Sequence, residues 1–183
     1  MRTAAIALVA CLLAGAAAGA DDLSVKVRRQ GDTVVMDVEA NAPGSVGEAW
    51  SVLTDYDHMA SFISNIKQSK VTAHDGNSLQ VAQAGETRVG FLTFDFAVVR
   101  TVELVPQQEI RSGLVSGDFK SYTSITRLTP TPAGVRISHH GEYVPKRWLP
   151  PLVGPAVIES ETKKQYGEFV AEIARRSAAA QGR

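Results

Sequence analysis

PPLVGPAVIESETKKQYGEFVAEIARR, Pro150 to Arg176, is the stretch on which the fold turns. It reads as one long helix. Pro155 sits where a first-turn proline is tolerated, because its missing N–H would be unpaired there anyway. Ile158, Thr162, Tyr166, Phe169, Val170 and Ile173 recur at three- and four-residue steps, the helical period. Glu161, Lys164, Glu168, Glu172 and Arg175 take the opposite face. The beginning, from Leu152 to Ile158, is apolar at several angles and so calls for burial on more than one side. Residues 23–145 read mostly as strands, and a long helix after a run of strands must lay its stripe on their sheet. The tail from Ser177, residues 177–183, is expected to fray.

The rest of the 183-residue chain has the composition of one globular domain, with 44% hydrophobic and 21% charged residues. Residues 1–20 stand apart: Arg2, an uncharged run from Ala4 to Ala17, then Ala18-Gly19-Ala20 before Asp21. This is the pattern of a cleaved secretory signal peptide, and it predicts export to a periplasm or the medium. Leu8-Val9-Ala10-Cys11 resembles a lipoprotein box but leaves too short an apolar region ahead of it. Removing residues 1–20 takes Arg2 and the single cysteine, Cys11, leaving one more acid than bases. A domain over residues 21–176 then has no disulfide or thiolate chemistry. Its balanced charge argues against nucleic acid as a partner.

In chain order, Leu23–Arg29 and Thr33–Ala40 alternate with period two around Gln30-Gly31-Asp32, a hairpin signal. Ser45-Val46-Gly47-Glu48 has capping-box spacing and opens a short helix through Leu53. Asp57 is placed to cap a second, from His58 to Ile63. Six strand segments follow: 66–73, 78–84, 91–105, 109–116, 122–129 and 135–144, separated by turn chemistry such as Asp75-Gly76-Asn77 and Gly117-Asp118. Consecutive strands on short turns predict an antiparallel meander, so the class is α+β.

Ala49-Trp50-Ser51-Val52-Leu53-Thr54-Asp55-Tyr56-Asp57, then Phe62-Ile63-Ser64-Asn65-Ile66, resembles the START-like superfamily, nearest its polyketide cyclase/dehydrase and coenzyme-Q-binding branches. Gly117-Asp118-Phe119 and the proline-rich entry to the last helix are similar too, and the element order matches over about residues 35–175. The resemblance implies a helix-grip fold: a curved antiparallel sheet wrapped around the long C-terminal helix, two short helices after the first strands, and a hydrophobic cavity between. It implies a hydrophobic small-molecule partner (lipid, quinone, isoprenoid or polyketide) and no cofactor, and only some members are enzymes. An N-terminal signal and an extra N-terminal strand arm depart from the quinone-binding relatives.

Such a cavity would be lined by Trp50, Phe62, Phe94, Phe96, Leu114, Ser124, Thr126, Ile137, Tyr143 and Val157. Phe94, Phe96 and Val98 share one face of their strand with Val102 and Leu104, and Arg100 interrupts it. Ser112, Ser124, Thr126 and His139 bring small and polar groups to faces where a packed core would want bulk, which argues for a hollow interior. Arg100, His139 and Glu159 are its ionisable candidates. His139 and Glu159 could form a catalytic base and its orienter, with Arg100 receiving a carboxylate or oxyanion. The competing reading pairs Glu159 with Lys163 and leaves His139 as a satisfied strand histidine. Neighbours His139 and His140 point to opposite faces of a strand and so make no metal site. Asp55-Tyr56-Asp57-His58 is explained more simply by capping than by a cation, so no metal is expected. Arg147, Trp148 and Leu149 would suit a membrane-surface gate, a hydrophobic staple on the last helix, or the partner surface of a non-catalytic envelope accessory protein.

Overall fold

The structure, a computed structural model, describes residues 22–89, 92–146 and 154–182. Strands β1 (Leu23–Gln30) and β2 (Thr33–Ala42) lead into helix α1 (Val46–Leu53) and a 3-10 turn (Tyr56–Ser61). Then come β3 (Ile66–Asp75), β4 (Ser78–Val89), β5 (Leu92–Val105), β6 (Glu109–Gly117), β7 (Phe119–Thr131), β8 (Gly134–Pro145) and helix α2 (Pro155–Gln181). The strands form one antiparallel sheet of eight in the order β1-β2-β8-β7-β6-β5-β4-β3. Every neighbouring pair except β2–β8 is joined by a short connection, as the meander pattern requires. Register shifts within β3, at Val99/Arg100 of β5 against β6, and near Phe119 of β7 add local twist and help curl the sheet. Helix α2 lies in the curl, packed against β1, β2 and α1.

The capping box at Ser45 forms as its spacing demands. The Glu48 N–H donates to Ser45 Oγ at 3.2 Å, and the Ser45 N–H donates to Glu48 Oε2 at 2.6 Å. The second short helix is a 3-10 turn beginning one residue before Asp57, and Asp57 does not cap it. Its carboxylate instead accepts from the Val71 N–H at 3.0 Å and faces Lys70 at 3.1 Å. A tertiary donor on β3 outcompetes the local capping bond. Asp55 and Asp57 therefore tie elements together: Asp55 receives Arg176 of α2 at 2.8 Å and His58 at 2.6 Å. Among the described residues no group of acids, histidines or cysteines could hold a metal ion.

Helix α2 continues through Ser177 rather than fraying there. Ser177 is buried, and its hydroxyl donates to Glu48 Oε2 at 3.2 Å. The inward stripe of α2 is Thr162, Tyr166, Phe169, Ile173 and Ser177, joined by Glu172. Buried Val34, Val38, Val102, Val135 and Ile137 of the sheet, Val52 of α1 and Ile63 after the 3-10 turn belong to the same core cluster. Glu172 is buried beside them and clamped by Arg175 and Arg176, each at 2.7 Å. One glycine is dictated by contact: a Cβ on Gly85 would lie 2.0 Å from the Asn65 carbonyl. Its absence lets the chain leaving the 3-10 turn cross β4, where the Glu86 N–H donates to that carbonyl at 3.0 Å.

Candidate functional site

Between sheet and α2 lies a chamber of about 140 Å³. Its wall is assembled from nearly every layer: Met36 of β2, Leu53 of α1, Tyr56 and Met59 of the 3-10 turn, Gln83 of β4 and Arg100 of β5. Ile110 and Ser112 of β6, Tyr122, Ser124 and Thr126 of β7, His139 of β8, and Gln165, Tyr166 and Phe169 of α2 complete it, with Ile66 of β3. Strand alternation selects these side chains. The in-register neighbours Ser112, Ser124 and Gly141 point inward on adjacent strands, and all three are small. Space is left where larger side chains would have met. A more open recess of about 620 Å³ adjoins it, lined in part by Ala82, Ala84, Ala97, Val98 and Gly117, and shares Gln83.

The polar part of the wall is a connected network. Arg100 is partly buried; Nη2 donates to Gln83 Oε1 at 2.8 Å and Nη1 to Tyr122 Oη at 3.3 Å. Its guanidinium carbon stands 5.7 Å from the centre of the Tyr56 ring, a cation–π distance. Gln83 Nε2 donates to Ser69 Oγ at 3.0 Å, and Tyr122 Oη donates to Ser124 Oγ at 3.1 Å. The Nε–H of Arg100 is enclosed and has no acceptor. On the opposite wall His139 Nδ1 lies 2.8 Å from Thr126 Oγ1, and its ring centre is 5.6 Å from that of Tyr166. Burial, with the Arg100 charge adding to it, pushes His139 down to about 4, so the imidazole is neutral at pH 7. Burial also drives the Tyr166 phenol far above its ordinary range and raises that of Tyr56. At neutral pH the chamber holds neutral hydroxyls, a neutral imidazole, amides and one cation.

Of the residues expected on the wall, Arg100, Ser124, Thr126 and His139 are there. Trp50 instead packs against the core from α1, and Phe62 stacks edge-on against Phe169 at 6.2 Å. Phe94 and Phe96 are partly buried on the Arg100 face of β5 but closer to the β4–β5 turn, Phe96 opposite Gly85. Leu114 pairs with Arg100 in register without bordering the chamber, and Ile137 is wholly buried in the core. Tyr143 lies against Phe119 at 5.3 Å, and Val157 is partly buried in the first turn of α2. Glu159 is exposed, so it does not orient His139. It continues the stripe of Tyr166, but the helix buries no side chain before Thr162, so that turn lies outside the grip of the sheet. Arg147, Trp148 and Leu149 fall outside the described residues. Sequence reasoning missed Gln83, Tyr122 and Tyr166 as wall groups. A glutamine between Val81 and Gly85 on an inward alternation, and a tyrosine two residues before Ser124, were the available signals.

Residues 32–178 match the sequence model of the polyketide cyclase/dehydrase and lipid transport family. The chain belongs to that family. No curated protein sequence matches it. Among solved structures it is similar to a STAR-related lipid transfer protein fragment from Xanthomonas axonopodis, with TM-score 0.68 and 12% identity over 85% of this chain and 95% of that one. It is also similar to a START superfamily protein from Mycobacterium smegmatis (TM-score 0.56, 16% identity, 81% and 98% covered). The Zhui aromatase/cyclase from Streptomyces sp. R1128 gives TM-score 0.57 at 12% identity, with 80% and 93% covered. At such identities the likeness is one of fold: the START-like helix-grip, with its curved sheet, long C-terminal helix and short helices. Family and fold fit a domain that binds a hydrophobic small molecule.

Proposed function

We propose that this START-like chain is an exported, non-catalytic binding protein that holds a lipid-like or isoprenoid-like molecule between its sheet and α2. The observation that carries this reading is the chamber itself, built by ten separate elements and walled by apolar and aromatic side chains interleaved with polar ones. Burying apolar ligand surface there contributes about 25 cal/mol per Å² before ordering costs. Catalysis of the cyclase/dehydrase kind is the second reading, since His139 borders the chamber. Against it, His139 is a weak base at neutral pH, and Thr126 rather than a carboxylate holds its Nδ1. The apolar segment before Asp21 supports export, which N-terminal sequencing of protein recovered outside the cytoplasm would test.

Native mass spectrometry followed by solvent extraction tests the binding reading. A reproducible apolar small molecule released from the protein is the expected result. An empty protein that also fails to bind the neutral apolar dye N-phenyl-1-naphthylamine would overturn it.

A further inference from the structure

We infer that the chamber selects an amphipathic acid: a carboxylate on an apolar body, seated with its charge on Arg100. This rests on the binding reading above and narrows it to one ligand class. An arginine side chain stays protonated in proteins, so the chamber holds a permanent positive charge. None of the residues lining it is an aspartate or glutamate. Among the described residues Arg100 enters no ion pair. Its protein partners are an amide oxygen, a phenol hydroxyl and an aromatic face, all uncharged. His139 is neutral at pH 7, and burial raises the phenols of Tyr56 and Tyr166 so that neither is charged.

Geometry agrees with the charge count. A guanidinium has five N–H donors in a planar fork suited to a carboxylate. Two are used on Gln83 and Tyr122, and the enclosed Nε–H has no acceptor. An enclosed donor without a partner is uncommon and costly, and here it belongs to a charged group bordering a space. The Nε itself is closed off from the space, but Gln83 and Tyr122 take only one N–H from each Nη, which leaves a second N–H on each for a ligand oxygen. Gln83 and Tyr122 hold the guanidinium plane, and Ser69 and Ser124 hold those two side chains in turn.

The size of the space sets how the ligand sits. About 140 Å³ is close to a cavity that holds one benzene ring, so it takes a head group and a few carbons. On the Tyr122 side of the chamber an apolar remainder would run along Phe119 and Tyr143, whose rings lie 6.0 Å from Tyr122 and 5.3 Å from Phe119 respectively. Tyr122 belongs to both parts, its hydroxyl on Arg100 and its ring against Phe119. A neutral head such as an alcohol would displace water from the cation without supplying countercharge, which is unfavourable.

The test is calorimetric titration of the purified protein at pH 7.5 with decanoate and decan-1-ol, which share a chain and differ in head charge. Each is repeated by displacement of N-phenyl-1-naphthylamine. Decanoate should bind roughly ten- to a hundredfold more tightly than decanol, the range of a hydrogen bond to a charged group. In Arg100→Gln the preference for decanoate over decanol should be lost. Arg100→Lys should retain part of the preference. Equal or tighter binding of decanol by the unsubstituted protein overturns the inference, as does a preference that survives Arg100→Gln. Binding of the dye and decanol without a decanoate preference sinks the inference alone; no binding of any probe sinks the carrier reading with it. Should Arg100→Gln fail to fold, the decanoate-to-decanol ratio of the unsubstituted protein decides.

Discussion

Acidification should destabilise this protein partly through His139, and the size follows from its surroundings. The imidazole stands in the chamber wall, held by Thr126, with the Arg100 charge nearby. Its pKa falls from 6.5 to about 4 on folding, so between those values the unfolded chain binds a proton that the folded chain refuses. Stability therefore rises with pH through this window: the full contribution is present above 6.5 and is lost as pH falls toward 4. By linkage the loss from this one group is about 2 kcal/mol at pH 5 and about 3 kcal/mol at pH 4, relative to pH 7.5. Other groups titrate over the same range, so the measurement must be a difference. His139→Asn keeps an acceptor for the Thr126 hydroxyl and cannot titrate. Urea unfolding of both proteins at pH 7.5 and pH 5 gives two stability differences, each from midpoint and slope. The variant should be the less stable at pH 7.5 and should close the gap by about 2 kcal/mol at pH 5. A gap unchanged with pH would refute the reasoning, because it would mean that His139 takes up its proton as readily folded as unfolded.

Glu172→Gln should show an acid profile of a different origin. Hydrogen bonds from Arg175, aided by Arg176, hold Glu172 down to about 2. Its contribution is present above pH 4.5 and disappears as pH falls through about 2. The variant should cost roughly 1–2 kcal/mol at pH 7, discounted for the exposure of Arg175, and little at pH 2 in a urea series. Gly141→Val should keep the fold while closing the chamber. A Cβ there stands 3.0 Å from His139 Nε2 and 3.7 Å from Met36 Cε, so a valine crowds two side chains of the wall. Loss of N-phenyl-1-naphthylamine binding with an unchanged circular dichroism spectrum is the expected result; undiminished binding would place the ligand elsewhere. Ser45→Ala removes a cap and the Glu48 geometry that also receives Ser177, costing about 1 kcal/mol and lowering Tm by about 2–4 °C in calorimetry.

The fold was legible because its signals are periodic and local. Val25 and Val27 against Val34, Met36 and Val38 give the first hairpin, and the Thr162-to-Ile173 stripe gives the gripped helix. Ser45 and Glu48 announce their helix without help from elsewhere. What failed to be legible depends on partners distant in sequence. Asp57 looks like a cap until Val71 and Lys70 are brought beside it. Glu159 has the right helical phase for the chamber, but phase does not tell where the sheet stops. Part of the site was visible as misplaced polarity, in Arg100, Ser112, Ser124 and His139. The tyrosines were not, because an aromatic ring at an inward position reads equally well as core. The Tyr122 hydroxyl matters only through Arg100, two strands away, and Ser124, two residues along its own strand.

The anchoring of α2 is strongly lopsided. Glu172, Arg176 and Ser177 tie its last third to Asp55 and Glu48, while its first two turns bury no side chain. Mechanically the first two turns are an overhang, roughly 10 Å of a beam about 40 Å long, touching the core through half-buried Ile158 while the beam is held from Thr162 onward. Bending confined to that overhang leaves Tyr166 and Phe169 of the chamber wall where they are, so the wall and the helix start are mechanically separate parts of one element.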